Sequence, residues 1–304
     1  MSLREGKTLL IVNPAAKRGH GAEAGRRALQ VLRAELGVFN VDAVNTYEPQ
    51  HAASIVEGAR GYQNVLALGG DGVVHEAVNG LMRLPAEERP TLGVIPVGSG
   101  NDYARTLGIP LALDAALDAL LNAHAHLVDV GSCNGEYFDE TLSFGLDAGV
   151  ALGTVAWRSR LHISGAPLYL ASGVEQMLFH LDTYRFHALL DGERELAGDM
   201  VMMAVQQGPT YGGGFRVCPD AVLDDGVFDI CYTDPVKMPR APWLFLRAKN
   251  AHHVNAPEVH FERASTIYLE FDSRLPVQMD GEAHIADSYD IRMHCKAFHV
   301  LMAK

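Results

Sequence analysis

Residues 65–84 read Val-Leu-Ala-Leu-Gly-Gly-Asp-Gly-Val-Val-His-Glu-Ala-Val-Asn-Gly-Leu-Met-Arg-Leu. The unbroken apolar run at 65–68 is that of a strand covered on both faces, and Val73 to Leu84 continues as a helix. Gly69-Gly70-Asp71-Gly72 interrupts both patterns, so strand, tight loop and helix follow one another directly. The same order recurs on either side. Leu92 to Pro96 is an apolar strand ending in Val97-Gly98-Ser99-Gly100-Asn101-Asp102. Thr8 to Val12 runs into Asn13-Pro14 and a stretch containing Gly19 and Gly21, before a helix from Ala22 to Leu36. Val38 to Thr46 is a further strand, and His51 to Arg60 a helix. Such alternation predicts an α/β domain built on a mainly parallel sheet, with ligands at the loops beyond the strands' C-terminal ends.

The period changes near residue 127. Short alternating runs follow at 128–130, 138–145, 185–190, 200–206, 227–232, 266–271 and 291–293, separated by glycine and aspartate turns. They predict a second, β-rich domain with an antiparallel, sandwich-like sheet, carrying helices at Pro167–His180 and Ala241–His252. The expected division is 1–127 and 128–304, with the last residues returning to the first domain. A chain of 304 residues is long enough for two such cores.

Bulk chemistry narrows the function. A formal charge of −12 excludes nucleic acid as an expected partner, because a phosphate backbone needs a clustered positive surface. It also disfavours strong adsorption to anionic membranes, leaving local, partly apolar contact. Cys133, Cys218, Cys231 and Cys295 are widely spaced and read as reduced thiols. His124/His126 and His252/His253 lack carboxylate or cysteine partners at ligand spacing. The apolar start at Thr8–Val12 reads as a strand and not a signal peptide, and no run approaches the ~20 apolar residues of a membrane span. A cytoplasmic protein is expected, peripheral at the inner membrane face. A homodimer stays open.

Three glycine-rich polar loops at one end of one sheet are a phosphate-binding arrangement. Glycine lets the backbone approach phosphate oxygens, and a helix N-terminus offers unpaired N–H donors. Asp71 in such a loop would repel phosphate unless it organises Mg²⁺ or a polar part of a nucleotide. A plain βα turn accounts for Gly69–Gly72 alone. No GxxxxGK[ST] pattern occurs, and the protein-kinase signatures are missing.

Gly69-Gly70-Asp71-Gly72 with the helix after it, followed by Pro96-Val97-Gly98-Ser99-Gly100-Asn101-Asp102, resembles the catalytic domain of diacylglycerol kinases, sphingosine kinases and soluble bacterial lipid kinases. The resemblance continues through Tyr211-Gly212-Gly213-Gly214-Phe215, Pro219 to Gly226, and Val277-Gln278-Met279-Asp280-Gly281-Glu282. Two positions depart from the pattern. Ser99 stands where threonine is common, and Ala15 to Gly19 replace a Ser-Gly pair.

The resemblance implies a kinase that uses ATP and Mg²⁺ to phosphorylate a hydroxyl of a membrane lipid, diacylglycerol foremost. It places ATP in a cleft against Asn13, Pro14, Thr46, Gly69, Gly70, Asp71, Gly72, Val73, Val74, His75, Ser99, Asn101 and Asp102. It makes Glu282 the general base, with Asp280 beside it and Asp71 at the metal–phosphate end. In an extended segment Asp280 and Glu282 would share a face, while Gly281 could turn the chain. A solvated hairpin turn is the alternative for Asp280–Glu282. The resemblance also implies a structural Mg²⁺ at Asp225 with the carbonyls of Val222 and Val227. An ordinary Asp-Gly turn before a strand is the alternative there. Trp157, Arg158, Arg160, Pro167, Leu168, Tyr169, Leu170, Met177 and Leu178 read either as a core helix with a basic loop or as the flank of a lipid entry. Two rival functions stand beside this one: a kinase of a soluble acceptor such as NAD or a sugar phosphate, and a non-catalytic nucleotide sensor.

Overall fold

The computed structural model describes residues 2–161 and 166–303, with the backbone alone at 155–161, 166, 167 and 169. The strands are β1 (Thr8–Val12), β2 (Val41–Asn45), β3 (Asn64–Gly69), β4 (Thr91–Pro96), β5 (His124–Cys133), β6 (Glu136–Phe138), β7 (Thr141–Gly145) and β8 (Tyr184–Leu190). They continue with β9 (Arg194–Met200), β10 (Met202–Gln206), β11 (Phe228–Thr233), β12 (Val259–Ala264), β13 (Thr266–Phe271), β14 (Val277–Met279), β15 (Glu282–Ala283) and β16 (Ser288–Met302). The α-helices are α1 (Ala16–Leu36), α2 (His51–Glu57), α3 (Asp71–Met82), α4 (Asp102–Thr106), α5 (Leu113–Asn122), α6 (Leu146–Leu161), α7 (Ala166–Phe179) and α8 (Arg240–Ala248). Among the described residues no helix is long and apolar enough to cross a membrane.

The chain folds into two compact units, Met1–Val130 with Cys295–Lys304, and Gly131–His294. In the first unit β2, β1, β3 and β4 lie side by side in parallel. The last strand returns to this sheet, where Val300 pairs in parallel with Leu92. Every residue of β1, β3 and β4 is buried, as expected of parallel strands covered on both faces. Helix α1 packs with α5, and α2 with α3.

The second unit is antiparallel. One sheet runs β12-β11-β10-β7-β14-β15, while β16, β13, β8 and β9 form successive antiparallel pairs in the other. A single apolar core joins both sets, with Phe144, Phe228 and Met279 from the first and Phe186, Leu269 and Tyr289 from the second. Phe144 meets the Tyr289 ring edge-on, with centroids 4.9 Å apart. This is the α/β-plus-β-sandwich architecture that the change of period predicts.

Candidate active site

In the first unit, three loops at the C-terminal ends of β1, β3 and β4 are tied to one another. The Asn13 N–H donates to Leu68 O (2.9 Å), the Thr46 N–H to Val12 O (2.8 Å), and the Val97 N–H to Gly69 O (2.7 Å). Asn13 Oδ1 accepts from the Ala15 N–H at 3.0 Å and so shapes the first loop. Glycine is required where the second and third loops touch: a Cβ on Gly98 would sit 2.4 Å from Gly70 Cα and 2.7 Å from Asn101 Oδ1. Both Asp71 oxygens accept backbone N–H groups of the third loop, from Asn101 and Asp102, each at 2.8 Å. Asn101 is left-handed (φ +56°) and closes the loop on itself through Gly98, whose N–H donates to Asn101 Oδ1 at 2.7 Å. Asp71 therefore caps α4 from a neighbouring loop, and its carboxylate stands fixed between two glycine-rich turns. Such turns, with the N-terminus of α3 beside them, provide N–H groups for an anion.

In the second unit, Met279 to Glu282 is a two-residue hairpin. Met279 pairs with Glu282, and the connecting Asp280 and Gly281 have φ of +46° and +93°, the signature of an Asp-Gly turn that matches strand twist. The exposed Glu282 stands at the start of β15. Asp280 is buried, and its carboxylate accepts the backbone N–H groups of Asp139 (3.0 Å), Glu140 (3.1 Å) and Thr141 (2.9 Å). The turn is further pinned by the Gly281 N–H donating to Gln278 Oε1 at 2.6 Å. Asp280 thus anchors the hairpin, and Glu282 is the carboxylate it presents to solvent.

From Thr141, β7 leads to a partly open pocket in the same unit. Its walls are apolar, with Leu146, Val150, Val201, Phe215, Leu244 and Phe245 among them. Asp147 lines it too, partly buried, with a buried Oδ2 that lacks a hydrogen-bond partner. Burial pushes the Asp147 carboxyl up to about 7, against a smaller lowering from its hydrogen bond with Ser143. Behind the wall, burial raises the Cys218 thiol.

Residues 7–133 match the family model described as the diacylglycerol kinase catalytic domain. Residues 140–302, more than half of the chain, match the YegS C-terminal NAD kinase beta sandwich-like domain. A diacylglycerol kinase of Staphylococcus aureus (strain Newman) is 30% identical over 280 residues, covering 90% of this chain and 85% of that relative. The chain belongs to the diacylglycerol kinase family. It is a kinase. The solved structure of a diacylglycerol kinase from Bacillus anthracis str. Sterne is similar over 97% of this chain and 96% of its own, at a TM-score of 0.79 and 26% identity. An NAD kinase from Archaeoglobus fulgidus in complex with ATP shares the fold alone, with 13% identity and a TM-score of 0.52 over 98% of this chain and 93% of its own.

Among the residues that the family resemblance singles out, the structure brings Asn13, Pro14, Thr46, Gly69 to Gly72, Ser99, Asn101 and Asp102 into linked loops of one unit. Val73 and Val74 lie in the core of that unit, and their N–H groups already donate to Gly70 O. His75 is buried on α3, with Nε2 3.3 Å from Asn79 Nδ2. The shared face expected for Asp280 and Glu282 gives way to the hairpin, because both turn residues adopt positive φ. Asp225 does not fit a metal as it stands. One oxygen pairs with Arg263 and the other accepts the Val227 N–H at 3.3 Å, so a cation would have to displace a guanidinium. Val222 is half exposed beside it. The side chains of Trp157, Arg158, Arg160, Pro167 and Tyr169 lie outside the described residues, so the basic loop is outside as well; Leu168 and Met177 are buried in α7. The reading of the sequence missed the amide cradle at 139–141 and the cavity acid Asp147. Neither has a local signature, since each depends on strands distant in sequence.

Proposed function

We propose that this kinase transfers the γ-phosphoryl group of Mg·ATP to a hydroxyl group of a membrane lipid, with diacylglycerol the first acceptor to test. The observation that carries the acceptor class is the apolar lining of the pocket in the second unit, where Leu146, Val150, Phe215, Leu244 and Phe245 offer no polar partner to a soluble acceptor. A soluble acceptor such as NAD gives no use for such walls, whereas an acyl chain does. Strand β7 leads from Thr141, which holds Asp280, to Gly145, next to Leu146 at the pocket, a span from Thr141 to Leu146 of at most about 16 Å at ~3.3 Å per residue. A lipid with its chain in the cavity has the reach to bring its polar end toward the hairpin.

On this reading the loops of the first unit hold the nucleotide, and magnesium enters with it as part of the substrate. Asp71 fits that role, since two backbone amides fix a carboxylate, a hard oxygen donor that suits magnesium, at the glycine-rich loops. Magnesium neutralises charge on the transferring phosphoryl group. Glu282 takes the proton from the acceptor hydroxyl as the oxygen attacks phosphorus, and the exposed carboxylate is accessible for that task. Asp280 is the positioning residue that holds the hairpin. The protein works peripherally, at the inner face of the membrane that contains its substrate.

A panel of diacylglycerol, a sphingoid base, ceramide and phosphatidylglycerol in mixed micelles, with NAD in solution, tests this directly with γ-labelled ATP. The proposal expects label in a lipid product. Label in NAD, or hydrolysis with no labelled lipid, contradicts it.

A further inference from the structure

Helix α7 exposes a row of large apolar side chains. Leu168, Ser172 and Met177 are buried, while Leu170, Val174 and Leu178 are exposed at a spacing of four and therefore form one stripe. Phe179 extends it at the C-terminal end and is 74% exposed. The neighbouring helix α8 repeats the pattern. It turns Ala241 and Leu244 inward to the cavity, and Trp243 and Leu246 outward. The two helices touch closely at Gly173, where a Cβ would lie 2.8 Å from the Phe245 ring. Exposed Met238 lies just before α8, so large apolar side chains crowd one region of the second unit.

Along and beside α8 the charge is opposite to that of the whole chain, while α7 carries the single carboxylate Glu175. Between residues 235 and 257 the sequence has Lys237, Arg240, Arg247 and Lys249 and no carboxylate, in a chain of net charge −12. Arg240 and Arg247 both lie over the exposed Trp243 ring, 3.9 and 4.5 Å from its centroid. Arg240 is also paired with Glu258, so the net positive charge comes from the other three cations. An aromatic ring flanked by arginines, beside a stripe of aliphatic side chains, matches the headgroup boundary of a bilayer. There the apolar groups enter the acyl region and the cations meet anionic phosphates.

We propose that the outer face of α7 and α8 docks onto an anionic lipid bilayer. The choice of a bilayer as the occupant rests on the lipid-acceptor reading above. The inner sides of α8 wall the cavity while its outer side meets lipid, so the element that touches the membrane also borders the space for an acyl chain.

Flotation of the full-length protein with vesicles tests docking without any turnover. The parent protein floats with vesicles of phosphatidylcholine containing phosphatidylglycerol, floats less with phosphatidylcholine alone, and is released in part by salt. Leu178→Glu with Phe179→Glu lowers the partition coefficient by about tenfold or more. Arg247→Glu reduces binding to the anionic vesicles alone. Leu246→Ser is a milder second variant. All of these sites are on the surface, and unchanged melting curves verify the folds. Turnover of a short-chain diacylglycerol dissolved as monomers stays at the parental rate in each variant.

A parent that ignores both vesicle types overturns the proposal, as do variants that float like the parent. A parent dimer in sedimentation that the double substitution converts to monomers also overturns it, since a second copy would then be the occupant. Vesicle binding and lipid phosphorylation fail separately. Transfer to the dissolved short-chain acceptor without flotation removes the docking face alone, and flotation without transfer to any lipid removes the lipid-acceptor reading while docking holds.

Discussion

A carboxylate whose oxygens already accept three backbone amides has little capacity left to collect a proton from a substrate. Asp280 is in that state, whereas Glu282, two residues on, is exposed at a strand start. The division of labour between the two acids follows from this difference. Replacing Asp280 with alanine strands buried amides of Asp139, Glu140 and Thr141, each costing ~1–3 kcal/mol. Asp280→Ala should therefore lose at least about 3 kcal/mol of unfolding free energy, read by denaturant titration. A loss below about 1 kcal/mol would show that the cradle does not hold the turn. Asp147 offers a second test at this scale. Its carboxyl titrates at about 7 in the folded protein against 3.8 for the ordinary group. Between those values the unfolded chain releases a proton that the folded chain retains, so stability falls as pH rises from about 4 to about 7 and levels off above. The full span corresponds to about 4 kcal/mol, as an order of magnitude. Asp147→Asn should flatten this part of the pH profile and make the variant the more stable protein at pH 8. An unchanged slope would place the titration elsewhere.

At the scale of elements, what was legible depended on whether the signal is local. Strands β1, β3 and β4 are apolar runs followed by loops that contain glycine, and both features lie within a dozen residues. The edge strand β9, Arg-Glu-Leu-Ala-Gly-Asp-Met, has the charged composition of a solvated loop and is held in the sheet only by pairing along β8. Helix α6, rich in glycine and alanine, lacks the clear apolar stripe that marks a helix. The Asp-Gly turn was visible as a string, but its hairpin geometry appears only with the pairing of Met279 and Glu282. The loops also make their own prediction. Gly98→Ala forces a methyl group to 2.4 Å from Gly70 Cα, where neither backbone can yield cheaply. Overpacking of this kind costs ~1–3 kcal/mol. The variant should melt earlier and bind a non-hydrolysable ATP analogue at least about tenfold more weakly by calorimetry, since ~1.4 kcal/mol is a factor of ten. Parental affinity in a destabilised Gly98→Ala protein would remove these loops from the nucleotide site.

For the whole molecule, the two units have distinct chemistry. The first supplies glycine-rich loops and a fixed aspartate, and the second supplies an exposed glutamate on an anchored hairpin together with an apolar cavity. The change of period near residue 127 made the two kinds of sheet readable in the sequence. The contents of the second unit were less so, because the cavity draws its wall from segments between Leu146 and Val259. Phosphoryl transfer from one unit's ligand to the other's is the central claim, and single-turnover kinetics of Glu282→Gln tests it most directly. The substitution keeps the size and hydrogen-bonding reach of the side chain and removes its basicity. With γ-labelled ATP and diacylglycerol micelles, the rate of label transfer should fall by ~10²–10⁴, the usual range for a general base. Affinity for ATP and the melting temperature should stay at parental values. A Glu282→Gln protein that transfers label at the parental rate, or that loses ATP binding instead, would contradict the account.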